Sequence, residues 1–288
     1  MATRRTILAI AALAVISLFS TAADWPTYLG NGQRTGASAG ETTLSTANAA
    51  RLTKLWSFQT GGVIAASATV VGGIVYVGSW DGNEYALDAA TGALKWKTFL
   101  GTTTAPNCSP PALGISSAAA VANGVVYVGG GDSFWYALDA TTGTVLWRVF
   151  TGDNSATGGH YNWSSPLIYN GFGYIGVASL GDCPLVQGQL LQVDLATHQL
   201  VNTFNLVPNG QVGGGIWTSP AVDATTNTIY MTTGTIAGTQ PLAQAIVAVD
   251  ASSLALRSSW QLPAGQAIND SDWGNTPTLF STAAGRPM

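Results

Sequence analysis

Three tryptophans head similar short segments in the second half of the chain. Trp163 and Trp217 each precede a Ser/Thr-Ser-Pro sequence, Trp273 precedes Gly-Asn-Thr-Pro, and the spacings are 54 and 56 residues. An indole offers a flat face on which a planar ring can stack, and it serves equally well as packing between sheets. Asp272 stands directly before the last tryptophan, with Asp270 two residues earlier. A carboxylate at that place can act as a general base, or it can belong to a surface turn.

An internal repeat positions these residues. Residues 75–96 return as residues 126–147, with Tyr-Val-Gly, Tyr-Ala-Leu-Asp-Ala, Thr-Gly and Trp each displaced by 51 positions. Weaker copies follow, so that four matching aspartates lie 51, 55 and 56 residues apart, at Asp88, Asp139, Asp194 and Asp250. A unit of this length with short alternating strands has the size of one four-stranded propeller blade. The sequence therefore predicts an all-β fold, a β-propeller with about four blades and the start of a fifth.

Each blade has recognisable strand and turn signals. In the first blade, alternation predicts strands at residues 67–71, 74–79, 84–87 and 93–98. A Gly-Gly pair joins the first two strands, and an Asp-x-x-Thr-Gly turn precedes the last. The Asp accepts local backbone hydrogen bonds there, and the Gly supplies a positive φ. Trp96 and Trp147 are predicted to pack between neighbouring blades.

Strand direction gathers the candidate residues on one face, here called the upper face. The loops that lead into the inner strands share this face with the long loops at residues 178–189 and 233–243. The three tryptophans then ring the upper mouth of the central channel. Cys108 and Cys183 fall in upper loops of adjacent blades, which predicts a disulfide between them. Two separately buried thiols are the alternative.

Composition narrows the function classes. Charged residues make up 8% of the chain and hydrophobic residues 47%, with 35 glycines, which suits an all-β protein with many turns and disfavours disorder. The net charge is −4. Beyond Arg4 and Arg5 there is no cluster of basic residues, so the electrostatic footprint of a nucleic-acid-binding protein is missing.

The first 23 residues have the features of a secretory signal peptide. Arg4 and Arg5 form the basic start, residues 7–19 the apolar core, and residues 20–23 a small-residue cleavage region. The apolar stretch is shorter than the roughly 20 residues that a membrane span needs. We therefore predict export to the periplasm or the medium, by ordinary secretion or by a twin-arginine route.

The remainder divides into two parts. Residues 24–64 are predicted to be an N-terminal segment that includes a ring-closing outer strand at residues 52–60, and residues 65–288 form the propeller, incomplete at its C-terminus. Four blades in an open arc would expose sheet edges. We expect the chain to be the N-terminal portion of a ring of seven or eight blades; a smaller closed ring and a dimer of half-rings are the alternatives.

The repeat resembles the pyrroloquinoline quinone (PQQ) repeat of bacterial quinoprotein dehydrogenases. Residues 24–36 are similar to the segment that precedes the first blade in that family, and residues 213–223 resemble the segment that places a tryptophan beneath the cofactor. Residues 270–280 are close to the pattern of polyvinyl-alcohol-dehydrogenase-like members. The resemblance implies a propeller that uses PQQ and calcium as cofactors.

The resemblance also assigns cofactor positions. Trp217 matches the tryptophan that stacks on the quinone, and Trp163 and Trp273 are further cofactor-binding candidates at the same rim. Asp182 falls where these enzymes place an acidic calcium ligand, an ion that requires several hard oxygen ligands. A solvated loop position is the alternative for this carboxylate.

Two positions depart from the family pattern. Thr235 replaces the calcium-binding asparagine, and Thr239 lies near the place of the catalytic aspartate. A threonine cannot accept a proton as a general base. Asp272 is therefore the candidate catalytic residue.

Two functions from different classes fit these observations. The first is an exported quinoprotein that oxidises alcohol groups of a small molecule or a polymer, with PQQ carrying the redox chemistry. The second is a non-catalytic scaffold that binds a protein or polysaccharide partner through the upper face. Neither requires nucleic acid or a membrane span, and both allow a missing half-ring or a dimer partner.

Overall fold

The computed structural model describes residues 24–286 and 288, except 39, 106–107, 264, 267–270 and 287. The predicted signal peptide and Asp270 lie outside the described residues. Regular structure in the described part is β-sheet apart from one 3-10 turn, Ala49–Arg51. It includes no helix with the length and apolar character of a membrane span.

The first two blades follow the predicted repeat. The first contains β1 (Thr69–Val71), β2 (Ile74–Gly78), β3 (Asn83–Asp88) and β4 (Leu94–Phe99). A small hairpin then precedes the second blade, with strands β5 (Thr103–Thr104) and β6 (Ala112–Leu113). The second blade contains β7 (Ala120–Ala122), β8 (Val125–Gly129), β9 (Phe134–Asp139) and β10 (Val145–Phe150). The predicted strands of the first blade are correct to within two residues.

The third and fourth blades repeat the pattern with longer upper loops. The third contains β11 (His160–Tyr161), β12 (Leu167–Tyr169), β13 (Phe172–Ser179), β14 (Gln189–Asp194) and β15 (Gln199–Asn205), where β11 and β12 both pair with β13. The fourth contains β16 (Ala221–Asp223), β17 (Thr228–Thr232), β18 (Ala245–Asp250) and β19 (Leu256–Gln261). All pairs are antiparallel, and the inner strands β1, β7, β12 and β16 contact one another in that order. The propeller prediction is confirmed.

Trp96 packs between the first and second blades, as predicted. Trp96 donates its Nε1 hydrogen to Ala140 O at 3.0 Å, and a Cβ on Gly143 would come within 2.6 Å of the indole. Trp56 makes the same pair of contacts one blade earlier, with Ala89 O at 2.9 Å and Gly92 at 2.6 Å. Residues 52–60 form no strand, since no described strand pairs with them. They nevertheless dock on the first blade through the same contacts that an outer strand uses, and a ring-closing role stays a prediction.

The N-terminal segment runs across the inner segments of the blades, a path that no sequence pattern predicts. Its backbone accepts or exchanges hydrogen bonds with the inner segments of several blades, in the pairs Trp25–Val70, Pro26–Val121, Gly32–Val222 and Gln33–Leu279. Residues 273–280, predicted to be a fifth inner strand, are not a regular strand. Leu279 N instead donates to Gln33 O, and the Thr278 hydroxyl donates to Arg34 O. The N-terminal segment therefore links the inner segments of the first, second and fourth blades to residues 273–280.

Candidate functional site

A cavity of about 540 Å³ opens on the upper face between the third and fourth blades. We call it the upper cavity. Its walls come from the loops after β13 and β17 and from the segments that lead into the inner strands. They are formed by Trp163, Ala178, Ser179, Gly181, Asp182, Leu185, Gly215, Trp217, Gly234, Thr235 and Asp272.

Trp217 and Asp272 form a hydrogen-bonded pair in this cavity. The indole Nε1 donates to Asp272 Oδ2 at 3.0 Å, across 55 positions of sequence. The tryptophan is 37% exposed, so part of the ring remains open to a ligand. Glycines permit the close approach: a Cβ on Gly274 would lie 2.8 Å from the ring, and one on Gly234 would overlap Asp272 Oδ2. The carboxylate thus sets the orientation of the indole.

A threonine hydroxyl joins Asp272 to a second carboxylate. Thr235 Oγ1 lies 2.8 Å from Asp182 Oδ2 and 3.3 Å from Asp272 Oδ1. Asp182 also accepts a hydrogen bond from the Ser179 hydroxyl. Its backbone is left-handed, with φ 59°, directly after Gly181 at φ 63°, and this turn holds the side chain at the cavity wall. The two carboxylates therefore converge on one hydroxyl.

Trp163 forms another part of the upper cavity and is fixed from behind. Its Nε1 donates to Ser179 O at 3.0 Å, and Tyr161 packs edge-on against its ring at 4.8 Å between centroids. Both ring contacts come from the third blade itself. The indole is therefore held rigidly where it borders the cavity.

Trp273 does not line the upper cavity. Its Nε1 donates to Gln244 O at 3.0 Å, and its ring packs edge-on against Trp260 at 5.7 Å. The residues after it form no inner strand, so the indole is not carried to the axis as the indoles of Trp163 and Trp217 are. The structure thus separates Trp273 from the other two predicted cofactor residues.

The predicted disulfide is confirmed. Cys108 and Cys183 are bonded, with their Cα atoms 5.7 Å apart and a sequence separation of 75. Cys108 also packs in a cluster that includes Leu180 and Trp163. The bond therefore ties the loop that carries Asp182 to the region just before the second blade, and it excludes the alternative of two separate thiols.

Thr235, which replaces the calcium-binding asparagine of the family pattern, lies between the two carboxylates of the cavity. Its only sequence signal is its position directly after the Thr233-Gly234 pair that follows β17, on the predicted upper face. His160, another upper-face residue, bonds through Nδ1 to Asp153 O at 3.0 Å and does not line the cavity. Among the described residues, no three His, Cys, Asp or Glu side chains come together as a metal cluster.

A second cavity of about 200 Å³ lies on the channel side of the same two indoles. We call it the axial cavity. Trp163 and Trp217 border both cavities. Its other walls carry the hydroxyl-bearing side chains of Tyr28, Ser67, Ser116, Ser165, Thr218, Ser219 and Thr276.

Comparison with known proteins gives a family and several relatives. The model of a PQQ-repeat family described as outer membrane protein assembly factor BamB matches residues 33–265. A polyvinylalcohol dehydrogenase of Sphingopyxis sp. (strain 113P3) is 27% identical over 253 residues, which cover 80% of this chain and 38% of that protein. A polyvinylalcohol dehydrogenase of Pseudomonas sp. is 26% identical over 214 residues, which cover 66% and 33%. The chain thus spans well under half the length of these relatives.

Solved structures agree on the fold. The quinohemoprotein alcohol dehydrogenase from Comamonas testosteroni superposes with a TM-score of 0.71 at 22% identity. The match covers 92% of this chain and 45% of that chain. At this identity the likeness establishes the propeller architecture alone.

Proposed function

The chain belongs to the PQQ-repeat family described as outer membrane protein assembly factor BamB, and on this premise we propose that its upper cavity binds PQQ and serves the oxidation of alcohol groups. The observation that carries the proposal is the pairing of Trp217 with Asp272 at 3.0 Å, which places a flat aromatic face and a carboxylate in one cavity. Relatives named as alcohol-oxidising dehydrogenases support the same class of reaction. The scaffold alternative rests on the description of the family alone.

The upper cavity suits a planar tricyclic quinone. Its volume of about 540 Å³ falls within the range of roughly 300–1,000 Å³ typical of small-molecule sites. Trp217 offers the open aromatic surface, and Trp163 borders the same space. Gly234 and Gly274 leave no side chain between the backbone and the Trp217–Asp272 pair. These residues would hold the cofactor by stacking and shape.

The same wall supplies part of a calcium site. Asp182, Thr235 and Asp272 present carboxylate and hydroxyl oxygens, the hard ligands that Ca²⁺ prefers. Calcium takes about six to eight oxygens, so the remaining ligands would have to come from the cofactor, backbone or water. We propose Asp182 as the metal ligand contributed by the disulfide-tied loop.

Asp272 is the proposed catalytic base. When bound, PQQ supplies the two-electron redox chemistry. The protein's part is to take the proton from the alcohol hydroxyl, for which a carboxylate must lie within hydrogen-bond reach of it. Asp272 Oδ2 accepts the indole hydrogen bond and Oδ1 lies 3.3 Å from the Thr235 hydroxyl, so these two neighbours fix how the carboxylate is turned toward the cavity. Trp217 and Thr235 thereby orient the base.

The proposal is tested on purified protein with added PQQ and calcium. We expect a higher melting temperature and alcohol-dependent reduction of an artificial electron acceptor dye. The matched control is Asp272→Asn, which keeps an oxygen for the indole hydrogen bond and loses the base. An unchanged melting transition together with no dye reduction would refute PQQ binding and would favour the scaffold function.

We also propose that the protein is exported, on the basis of the predicted signal peptide at residues 1–23. A structural disulfide is typical of proteins in oxidising compartments. N-terminal sequencing of the secreted or periplasmic fraction is expected to show cleavage after Ala22 or Ala23. An uncleaved chain confined to the cytoplasm would contradict export.

A further inference from the structure

The axial cavity is lined by three hydroxyls that each accept one backbone hydrogen bond. Ser165 Oγ accepts from Ala118 N at 2.9 Å, Ser219 Oγ accepts from Ser165 N at 3.0 Å, and Thr276 Oγ1 accepts from Ser219 N at 3.0 Å. Each blade thus donates a backbone hydrogen to the hydroxyl of the next blade. No described residue accepts the hydrogen of any of these three hydroxyls. Three hydroxyl donors therefore remain available in one small cavity.

A buried positive charge lies against the same residues. Arg34 is 0% exposed, and its guanidinium donates to Pro166 O at 3.0 Å and Pro220 O at 2.9 Å. These prolines directly follow Ser165 and Ser219 in the chain. The guanidinium therefore contacts the backbone directly after two residues of the cavity wall, although Arg34 itself does not line the cavity.

No carboxylate neutralises this arginine among the described residues. Its two other acceptors are the Tyr28 carbonyl oxygen and the Thr27 hydroxyl, and the described ion pairs involve other residues. Burial removes hydration and lowers the pKa of Arg34 to about 10, which still leaves it charged at neutral pH. A buried charge without a counter-ion is costly, and an anion nearby offsets that cost.

We propose that the axial cavity binds a small monovalent anion, held by the hydroxyls of Ser165, Ser219 and Thr276 beside the charge of Arg34. The lining supplies hydrogen-bond donors and no carboxylate, which disfavours a cation. The volume of about 200 Å³ fits chloride or a small carboxylate such as formate. Ser67 lies exposed at the edge of the cavity, so the anion can enter from solvent. This site is distinct from the proposed quinone site across the indoles.

The test uses the full chain without PQQ or calcium, so its result is independent of the proposed function. Melting temperature is measured in sodium chloride, in sodium formate and in the bulky sulfonate MES, at constant ionic strength and pH. A ligand that binds only the folded state raises the midpoint in a saturable manner. We expect such a rise in chloride, in formate or in both, relative to MES, and the more effective ion identifies the preferred class. Equal midpoints in all three salts would overturn the proposal.

Variants locate the effect. Ser165→Ala and Ser219→Ala, alone and together, are expected to abolish most of the rise. Ser117→Ala is the matched control. Ser117 is buried, and its hydroxyl accepts a hydrogen bond from Gly129 N at 2.9 Å, but it does not line the cavity. This variant should keep the full response. A response that survives in the double variant would place the anion elsewhere and refute the site.

A measurement on wild-type protein covers the case in which the double variant does not fold. Chloride-35 NMR line broadening by the protein should be reversed by competing formate and be weaker for Ser219→Ala alone. Broadening that is absent, or equal in Ser219→Ala and wild type, would contradict the proposal.

Discussion

The two cavities share Trp163 and Trp217 but have opposite electrostatic character. The upper cavity presents the carboxylates of Asp182 and Asp272. The axial cavity presents free hydroxyl hydrogens and lies beside the guanidinium of Arg34. The same pair of indoles therefore separates a region suited to a cation and a base from a region suited to an anion.

The difference follows from where each set of residues lies in the repeat. The hydroxyls of the axial cavity occupy equivalent places at the start of successive inner segments, so the repeat itself generates them. The carboxylates of the upper cavity come from loops, and each occurs once. In this molecule the periodic part of the sequence builds the fold, and the aperiodic part carries the proposed chemistry.

Replacing the upper-cavity base should have the largest effect. We expect Asp272→Asn to lower alcohol-dependent dye reduction at least 100-fold, since general-base catalysis typically contributes about 10²–10⁴-fold. Its melting temperature should change little, because asparagine can still accept the Trp217 hydrogen bond. The measurement is steady-state dye reduction, with the exposed Asp153→Asn as control. Near-wild-type activity in Asp272→Asn would show that another group is the base.

Glu84 is a carboxylate that lies outside both cavities and can be compared with Asp182 and Asp272. Glu84 on β3 is completely buried, and neither of its oxygens has a hydrogen-bond partner among the described residues. Burial raises the pKa of Glu84 well above its ordinary value. Its equivalents in the other blades are Trp135, Leu190 and Ile246, all apolar. The carboxylate in this position therefore disfavours the folded state whenever it is ionised.

Glu84→Leu is expected to raise the free energy of unfolding by about 1–3 kcal/mol at pH 8. A raised pKa in the folded state means that wild-type stability is full below the ordinary glutamate pKa and falls as pH rises through the folded value. The advantage of the variant should therefore shrink as pH falls toward 4. Urea unfolding across this pH range measures it. A difference in unfolding free energy that does not change with pH would refute this account of Glu84. The responses to anions and to PQQ should be the same in Glu84→Leu and in wild type.

Adding a methyl group beside the Trp217–Asp272 pair should have a smaller effect than replacing the base. Gly234 has no left-handed φ, so alanine is allowed there by the backbone. Its Cβ would overlap Asp272 Oδ2 and lie 3.0 Å from Trp217 Nε1. We expect Gly234→Ala to weaken PQQ binding about tenfold, which corresponds to about 1.4 kcal/mol. In an Asp272→Gly background the clash with the carboxylate is absent, so Gly234→Ala should weaken PQQ binding much less there. An equal loss of PQQ affinity in both backgrounds would refute this mechanism.

Much of the fold was predictable because its signals are local. Asp88 accepts hydrogen bonds from the backbone of Ala90 and Thr91, and Gly92 adopts φ 73°, as the turn chemistry requires. The placement of Arg34 was not predictable, because the N-terminal segment has no periodicity that reveals its path across the channel. Trp273 was grouped with Trp217 because their sequence contexts match, and the sequence did not reveal that its indole bonds to Gln244 O and does not line the upper cavity.

The candidate site was predictable only in part for a related reason. The strand order places Trp217, Asp182 and Asp272 on one face, but it does not give the distances between them. Thr235 joins the two carboxylates through a contact across 53 positions of sequence, to Asp182. No local pattern encodes such a contact, and it depends on how adjacent blades pack.

The most direct test of the quinone site is an equilibrium PQQ titration in the presence of calcium, followed by quenching of tryptophan fluorescence in wild type and in Trp217→Ala. If the upper cavity holds the quinone against this indole, wild type binds PQQ saturably and the variant binds it at least tenfold more weakly. Equal PQQ affinity in the two proteins would show that Trp217 does not form the cofactor site.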